Sequence, residues 1–358
     1  GSSRAHGNQD EPNVLTSNGR RRLEYAGFVS SPAGTTFRDR ARFEADRYGA
    51  DGWVFVRELL QNARDAGARR VRIEVGRQAG RDRIICRDDG EGMSFAHAKR
   101  YLFTLYASSK RGRPRTAGRF GIGFWSVLRF APGTIVIRSR PAGGEGWLVR
   151  LDGDLEKAIR EPCEMERGTE VLLERPAAND DLEARVRNAV LRDAPFLDRR
   201  GRKRQPLEVT VNGSPVRAEM ELPPPSLSFG RRGLRGVVGL GPEPRVEVFA
   251  HGLRVRDAAS LDELLLAGRV GRTAMPTTAK GLAPRVVIDS VNLSVLMARG
   301  DAREDRALRR LVAVGHRELG RLVRAELDRH ARLRFPALLW ERLRETWTAP
   351  WIVKIAVA

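Results

Sequence analysis

Apolar and polar residues alternate along this chain with two different periods, and each period predicts a type of secondary structure. Over residues 53–66 the apolar side chains recur at helical spacing, which predicts an amphipathic helix. Residues 71–75 alternate valine or isoleucine with charged residues, the pattern of a half-buried strand. The short apolar run within residues 81–87 predicts the next strand.

The same patterns predict the remaining elements. Further helices are predicted at residues 37–48, 95–106, 125–130, 178–194 and 307–333. Further strands are predicted at residues 207–211, 246–250, 253–255 and 286–291, and Asn212-Gly213 is a good hairpin turn. A helix followed by antiparallel strands, repeated, predicts an α+β sandwich in which helices cover one face of a sheet.

Three polar residues share one stripe of the predicted helix at 53–66. Glu58, Asn62 and Asp65 stand at i, i+4 and i+7, which places them on the same face. A carboxylate, an amide and a second carboxylate suit a hydrated divalent cation and an activated water. The alternative is an ordinary solvated helix face, and the segments that follow weigh against it.

Three glycine-containing segments follow this helix in order. D-D-G-E-G-M occupies residues 88–93, directly after a predicted strand, G-R-F-G-I-G-F occupies residues 118–124, and R-G-T-E-V-L-L occupies residues 167–173. In the second segment glycines free successive backbone N–H groups to face phosphate oxygens, and the start of a helix favours the same anion. The sequence has no G-x-x-x-x-G-K-[ST] segment, which excludes a P-loop.

The polar helix and the three glycine segments together resemble the GHKL ATPase superfamily. Its members include gyrase B subunits, MutL mismatch-repair proteins, ninety-kilodalton heat-shock chaperones and sensor histidine kinases. The resemblance implies the Bergerat ATP-binding α/β sandwich, with ATP and Mg²⁺ as cofactors. The string G-R-F-G-I-G-F-W-S at residues 118–126 is most similar to the chaperone branch.

The resemblance also implies roles for individual residues. Asp88 would accept a hydrogen bond from the adenine amino group, and Thr169 would help it through a water. Glu58 would be the general base that activates the attacking water, and Asn62 would bind Mg²⁺. Asp65 would support these groups or contact the base through water.

Other nucleotide contacts are implied less directly. The base and sugar would contact Gly90, Gly92 and Met93, and the triphosphate would contact Gly118, Arg119, Phe120, Gly121, Ile122, Gly123 and Phe124. Residues 94–117 would form the ATP lid, whose Lys110 resembles the Ser-Lys element of MutL lids. One cation from the second domain would reach the γ-phosphate, and Lys280 and Arg299 are equal candidates, with two ordinary surface charges as the alternative.

The pattern divides the chain into four parts. Residues 1–36 are predicted to form a flexible arm, residues 37–200 the ATP-binding domain, and residues 205–333 a smaller α+β domain that resembles the transducer or chaperone middle domain. Residues 334–358 are apolar enough to pack or to dimerise. In GHKL proteins an N-terminal arm can cross to a partner subunit, so the resemblance implies an ATP-dependent homodimer.

Charge and cysteine content add two expectations. The formal net charge is +20, which fits either nucleic-acid binding or the arginine bias of a GC-rich genome. We favour the bias, because both signs of charge are interspersed along the chain. Only Cys86 and Cys163 are present, which indicates a reducing, cytoplasmic setting, and no apolar run is long enough to span a membrane.

The predicted function is Mg²⁺-dependent ATP binding with slow hydrolysis, driving a dimeric conformational clamp on protein clients or partners. Two alternatives stay open. One is an ATP-gated nucleic-acid machine of the MutL, topoisomerase or microrchidia kind. The other is a nucleotide switch that barely hydrolyses ATP.

Overall fold

The computed structural model divides the chain into two compact units. Gly1–Leu191 and Leu207–Val216 form the first, and Arg192–Pro206 and Arg217–Ala358 form the second. The residues that the structure describes are 14–15, 21–24, 37–103, 123–155, 158–197, 206–231, 233–265, 282–293, 295–296, 301–302 and 304–334. No helix among them is long and apolar enough to cross a membrane.

A ten-stranded sheet forms the first unit. Its strands are β1 Val14–Leu15, β2 Arg21–Glu24, β3 Arg70–Gln78, β4 Arg81–Asp88, β5 Thr134–Arg140, β6 Trp147–Asp152, β7 Ala158–Pro162, β8 Gly168–Pro176, β9 Glu208–Val211 and β10 Ser214–Pro215. They lie in the order β1-β2-β7-β6-β5-β8-β4-β3-β9-β10. The β3–β9 pair is parallel, and the other neighbouring strands run antiparallel.

Among the described residues, four α-helices and a 3₁₀ helix accompany this sheet. The α-helices are α1 Phe37–Asp46, α2 Val54–Asp65, α3 Phe95–Tyr101 and α4 Leu182–Asp193, and the 3₁₀ helix is Gly123–Phe130. The apolar stripe of α2 is buried as its spacing predicts, through Val54, Phe55, Val56, Leu59, Leu60 and Ala63. The predicted α+β sandwich is confirmed, and α2 ends within one residue of its predicted bounds.

Aromatic rings hold the 3₁₀ helix Gly123–Phe130 against its neighbours. Trp125 is fully buried, meets the ring of Phe37 edge-on at 5.0 Å, and donates its indole N–H to the carbonyl of Leu102 at 3.0 Å. The predicted element here was an α-helix. The hydroxyl of Ser126 donates to the carbonyl of Gly123 at 2.7 Å, a local side-chain bond of the kind that competes with regular helix hydrogen bonding.

The second unit contains a five-stranded sheet and the long helix α5, Arg306–Arg334. The sheet order is β11-β12-β15-β13-β14, and only the β13–β15 pair is parallel. Its strands are β11 Ser226–Arg231, β12 Leu234–Gly241, β13 Arg245–Ala250, β14 Leu253–Ala258 and β15 Ala283–Ser290, followed by the small pair β16 Val295–Leu296 and β17 Asp301–Ala302. The α5 residues Leu308, Leu311 and Val312 share one apolar core with this sheet.

The predicted start of the second domain at residue 205 differs from the division of the structure. Strand β9 pairs in parallel with β3, from Arg70 opposite Glu208 to Ile73 opposite Val211, so this strand and the hairpin it opens belong to the first unit. The hairpin turn at Asn212-Gly213 is confirmed. The predicted arm contributes β1 and β2, and β2 pairs with β7.

Candidate functional site

Glu58 lies on the polar face of α2 and meets the first residue of the 3₁₀ helix. Its side chain is 13% exposed, and Arg57 Nη1 lies 3.3 Å from Glu58 Oε1. A Cβ atom added to Gly123 would stand 2.3 Å from Glu58 Oε2. Glycine is therefore the residue that lets this backbone approach the carboxylate so closely.

Tyr48 faces the same point, and sequence reasoning missed it. Its hydroxyl would lie 3.6 Å from a Cβ on Gly123. Burial raises the pKa of Tyr48 well above its usual range, and the negative charge of Glu58 raises it further. Tyr48 thus stays a neutral hydroxyl beside the carboxylate at any physiological pH. Only the fold brings it there, since it lies outside every motif.

The C-terminal end of α2 is bonded to the turn that follows β4. The backbone N–H of Glu91 donates to the carbonyl of Ala66 at 2.8 Å. A Cβ on Gly90 would stand 2.9 Å from Ala66 Cβ and from its carbonyl oxygen. This close contact joins the helix that carries Asn62 and Asp65 to the strand end that carries Asp88.

The two neighbouring aspartates of this turn have different environments. Asp88 is half-buried, and burial raises its pKa to about 6 against the opposing effect of hydrogen bonds from the Gly90 and Thr169 backbone. Asp89 accepts the backbone N–H groups of Arg69 at 2.7 Å and Arg70 at 2.9 Å, and its pKa is lowered although burial acts the other way. Asp89 therefore has a structural role, and Asp88 is the ligand candidate.

Two further glycines are required by backbone crowding around Asp88. Gly92 has φ +64°, and a Cβ there would stand 2.1 Å from the carbonyl oxygen of Arg140. Gly168 has φ +132°, and a Cβ there would stand 2.0 Å from the carbonyl oxygen of Asp88. Any side chain at either position would push apart the strands that bound the site.

Ser139 connects these pieces, and sequence reasoning missed it too. It is fully buried, and its Oγ lies 2.9 Å from the backbone nitrogen of Met93, 2.9 Å from the carbonyl oxygen of Gly168 and 3.0 Å from Thr169 Oγ1. The available signal was a small polar residue in the otherwise apolar or arginine-containing stretch at 135–140.

The structure brings one group of the predicted residues together. Strand pairing sets Asp88 opposite Thr169, Gly90 joins their strand end to α2, and Gly123 meets Glu58. Phe124 is buried against the ring of Trp125 at 5.1 Å, so its side chain belongs to the core. The remaining predicted site residues lie outside the described residues: Lys110, Gly118, Arg119, Phe120, Gly121, Ile122, Lys280 and Arg299.

The family model described as "Histidine kinase-, DNA gyrase B-, and HSP90-like ATPase" matches residues 51–154. That segment contains α2, the Asp88 turn and the Gly123 contact. This part of the chain is therefore similar to the GHKL ATPases. The match covers less than half of the chain, and the second unit lies outside it.

Relatives from two GHKL branches are similar to part of this chain. DNA mismatch repair protein MutL of Thermus aquaticus is 41% identical over 93 residues, which are 25% of this chain and 17% of the relative. Chaperone protein HtpG of Methylobacterium nodulans is 29% identical over 157 residues, 36% of this chain and 25% of the relative. This chain thus aligns with a quarter or less of each relative's own length, and the predicted chaperone branch stays a prediction.

The residues of this site fit a nucleotide and a magnesium ion. A carboxylate and an amide on one helix face, Glu58 and Asn62, are oxygen donors of the kind that Mg²⁺ binds, and Mg²⁺ commonly takes only one or two protein groups beside substrate phosphates. Within the described part of the chain no cluster of three or more His, Cys, Asp or Glu residues is arranged to hold a metal. Glycine-dependent close contacts line both ends of the site.

Proposed function

We propose that the first unit binds ATP with Mg²⁺ and hydrolyses it slowly. The observation that carries the proposal is the contact of Glu58 with Gly123, which sets a carboxylate directly against the last glycine of the segment at residues 118–124. At the far end of the same helix, the Gly90 contact joins α2 to the half-buried Asp88. One helix thus connects a candidate hydrolytic carboxylate to a candidate base-binding carboxylate.

The roles of the side chains follow from their chemistry. Asp88, ionised at neutral pH, accepts a hydrogen bond from the adenine amino group. Glu58 orients the attacking water and takes its proton, while Arg57 restrains one carboxylate oxygen. Asn62 would hold the magnesium ion, which supplies charge neutralisation on the phosphates. Asp65 supports these groups from the next turn of α2.

A cation from elsewhere in the chain would complete the phosphate site. Lys110 of the lid, and either Lys280 or Arg299 of the second unit, are the candidates, and all three lie outside the described residues. Single alanine variants would separate them. Alanine at the residue that contacts the γ-phosphate should weaken ATP binding far more than ADP binding. Alanine at an ordinary surface cation should change the affinity for neither nucleotide.

Calorimetry tests the nucleotide assignment directly. The protein titrated with ATP in excess Mg²⁺ should bind with a stoichiometry of one per chain, and chelation of the metal with EDTA should weaken binding. Failure of the wild-type protein to bind ATP at millimolar concentration would overturn the proposal. Equal affinity for ATP and GTP would overturn the adenine assignment alone.

For the larger role we propose an ATP-dependent homodimer that acts as a conformational clamp on protein clients. The support is the alignment with relatives named chaperone protein HtpG and the presence of a second α+β unit after the ATPase module. Light scattering with a non-hydrolysable ATP analogue tests dimerisation. If the measured mass remains that of a monomer at a saturating concentration of the analogue, the proposal of a dimeric clamp is wrong. The cytoplasmic location expected from the cysteine content stays a prediction.

A second candidate function, an ATP-gated nucleic-acid machine, is favoured by the exposed face of α5. Five arginines lie exposed along one stripe of this helix: Arg306, Arg310, Arg317, Arg321 and Arg324. At 1.5 Å per residue this arginine stripe is about 27 Å long. Such a linear run of guanidinium groups complements the evenly spaced phosphates of a nucleic-acid strand.

Little negative charge opposes the arginine stripe. Between residues 306 and 324 the sequence contains one acidic residue, Glu318, and its side chain is fully buried. Glu318 pairs with Arg321 at 2.6 Å and with Arg231 of β11 at 2.9 Å, which orients both guanidinium groups. Positive and negative charges are interspersed along the sequence as a whole, but the exposed stripe of this helix carries arginines alone. A separate support is that some of the similar relatives are named DNA mismatch repair proteins.

A third candidate is a nucleotide switch that binds ATP and barely hydrolyses it. Substitution of Glu58 distinguishes such a switch from an ATPase. If the wild-type protein and a Glu58→Ala variant turn over ATP equally, the base lies elsewhere or the protein is a switch, and very low turnover in both identifies the switch.

A further inference from the structure

Ser139, Thr169 and Asp88 form one row across three neighbouring strands. Thr169 of β8 stands opposite Ser139 of β5 and opposite Asp88 of β4. Residues directly opposite each other in antiparallel strands present their side chains on the same face. Ser139 is fully buried while Thr169 and Asp88 are half-buried, so a ligand reaches the last two and Ser139 acts only through them.

The three contacts of Ser139 determine where its single proton lies. A serine hydroxyl has one donor and two acceptor positions. The backbone N–H of Met93 can only donate, so it fills one acceptor position at 2.9 Å. The carbonyl oxygen of Gly168 can only accept, so the 2.9 Å contact with it takes the Ser139 proton. The 3.0 Å contact with Thr169 then requires Thr169 to donate to Ser139.

This arrangement fixes the hydrogen-bonding polarity of Thr169. Its only hydroxyl proton is committed to the buried Ser139, so Thr169 Oγ1 offers lone pairs alone to a ligand. Asp88, when ionised, is also an acceptor only. The half-buried part of the row therefore presents acceptors, which complement an amino group and are repelled by a carbonyl oxygen in the same place.

We propose that Ser139 is a positioning residue that sets base selectivity by holding Thr169 as an acceptor. The proposal rests on the proposed nucleotide site and deepens it. Adenine carries an amino group at its six position, where hypoxanthine and guanine carry a carbonyl oxygen. The acceptors of the row form hydrogen bonds with the amino group and repel the carbonyl oxygen. Ser139 also holds Met93, whose carbonyl accepts the indole N–H of Trp147 at 2.7 Å, so one hydroxyl fixes two walls of the base pocket.

The ratio of the dissociation constants for inosine triphosphate and ATP tests this role. Calorimetry on the full chain should find ATP preferred in the wild-type protein. In Ser139→Ala the Thr169 hydroxyl is free to turn and donate to a carbonyl, so the ratio should fall about five- to tenfold, the worth of one hydrogen bond. Ser139→Thr keeps the hydroxyl and should restore the ratio.

One further variant keeps the outcome decisive. Thr169→Val removes the hydroxyl and leaves Ser139 bonded to Met93 and Gly168, and it should lower the same ratio even if Ser139→Ala fails to fold. An unchanged ratio in a folded Ser139→Ala, or in Thr169→Val, overturns the role of Ser139. A wild-type protein that binds neither nucleotide overturns the proposed function instead, so the two failures are distinguishable.

Discussion

Asp88 and Asp89 are adjacent in sequence, and the pKa of Asp88 is raised to about 6 while that of Asp89 is lowered. Both carboxylates lose solvent on folding. Asp89 accepts two backbone N–H groups and faces the guanidinium of Arg70 at 3.5 Å, which more than offsets its desolvation. Asp88 receives backbone hydrogen bonds without a cation, so its desolvation dominates. A carboxylate left in this state is available to a ligand that brings a donor.

Replacing Asp88 by Asn should stabilise the protein at neutral pH. The folded pKa of about 6 exceeds the unfolded value of about 4, so the folded state holds the proton longer. The free energy of unfolding therefore falls as the pH rises from about 4 to about 6, and stays lower above. Asp88→Asn removes this loss, and without nucleotide its unfolding free energy at pH 8 should exceed the wild type's by roughly 1–3 kcal/mol. Denaturant titrations at pH 4 and pH 8 check the difference.

The same substitution should weaken ATP binding. Loss of a charged hydrogen bond to the amino group should cost about 1–3 kcal/mol. In the wild-type protein, ATP affinity should also fall as the pH drops below about 6, because protonation removes the negative charge of Asp88 and converts one of its two acceptor oxygens into an O–H donor. Asp88→Asn is the control for titration of the nucleotide itself. Parallel pH profiles in the two proteins would show that Asp88 does not contact the base.

Much of the fold was predictable because several elements alternate cleanly. In β3 Val71 and Ile73 are buried while Arg70 and Arg72 are exposed, and the sequence shows that pattern directly. Strand β5 was missed for the opposite reason. Its consecutive residues Ile135, Val136 and Ile137 are all buried, and a short apolar run without alternation does not separate a strand from a helix.

The candidate site was predictable only where a motif carries its own spacing. Asp88 and Gly90 occur within one turn, so local sequence identifies them together. Ser139 and Tyr48 lie outside every motif. Only the register of β5 on β8 places Ser139 at the site, and only the close approach of Gly123 to α2 places Tyr48 there. Long-range pairing is also why β9 was assigned to the second domain, since no local signal indicates a parallel partner such as β3.

Gly123→Ala should reduce ATP turnover without unfolding the protein. The new methyl group would stand 2.3 Å from Glu58 Oε2, so the carboxylate must move and would no longer be held where a water is activated. General-base catalysis usually contributes at least about a hundredfold to the rate. If Glu58 is the base, its displacement should remove part of that contribution, and turnover should fall about tenfold or more. Steady-state phosphate release measures it, with thermal unfolding as the check on folding.

Gly76→Ala is the matched control for that variant. It makes the same change in β3, where an added Cβ meets nothing within 4 Å, and it should leave turnover unchanged. If Gly123→Ala hydrolyses ATP at the wild-type rate, the position of the Glu58 carboxylate is irrelevant to the chemistry and the base lies elsewhere.

Glu58 and Asn62 should have separable effects. Glu58→Ala should nearly abolish turnover while ATP stays bound, since a general base acts mainly in the transition state. Asn62→Ala should lose both, because the magnesium ion also contributes to nucleotide binding. Calorimetry and phosphate release on the two variants measure the split. Wild-type turnover in Glu58→Ala would mean that the base lies elsewhere or that the protein is a nucleotide switch. Metal-independent binding in the wild type would remove the role of Asn62.

The arginine stripe of α5 divides the two larger roles. If it binds a phosphate backbone, the affinity for duplex DNA should fall steeply with salt concentration, and each arginine removed should lower the slope of log K against log salt by about one. Arg306→Ala and Arg310→Ala are the cleanest variants, because among the described residues no carboxylate pairs with either. Arg150→Ala, an exposed arginine on β6, is the control and should leave the slope unchanged. Equal slopes in all variants would attribute the charge to composition and leave the protein clamp as the better proposal.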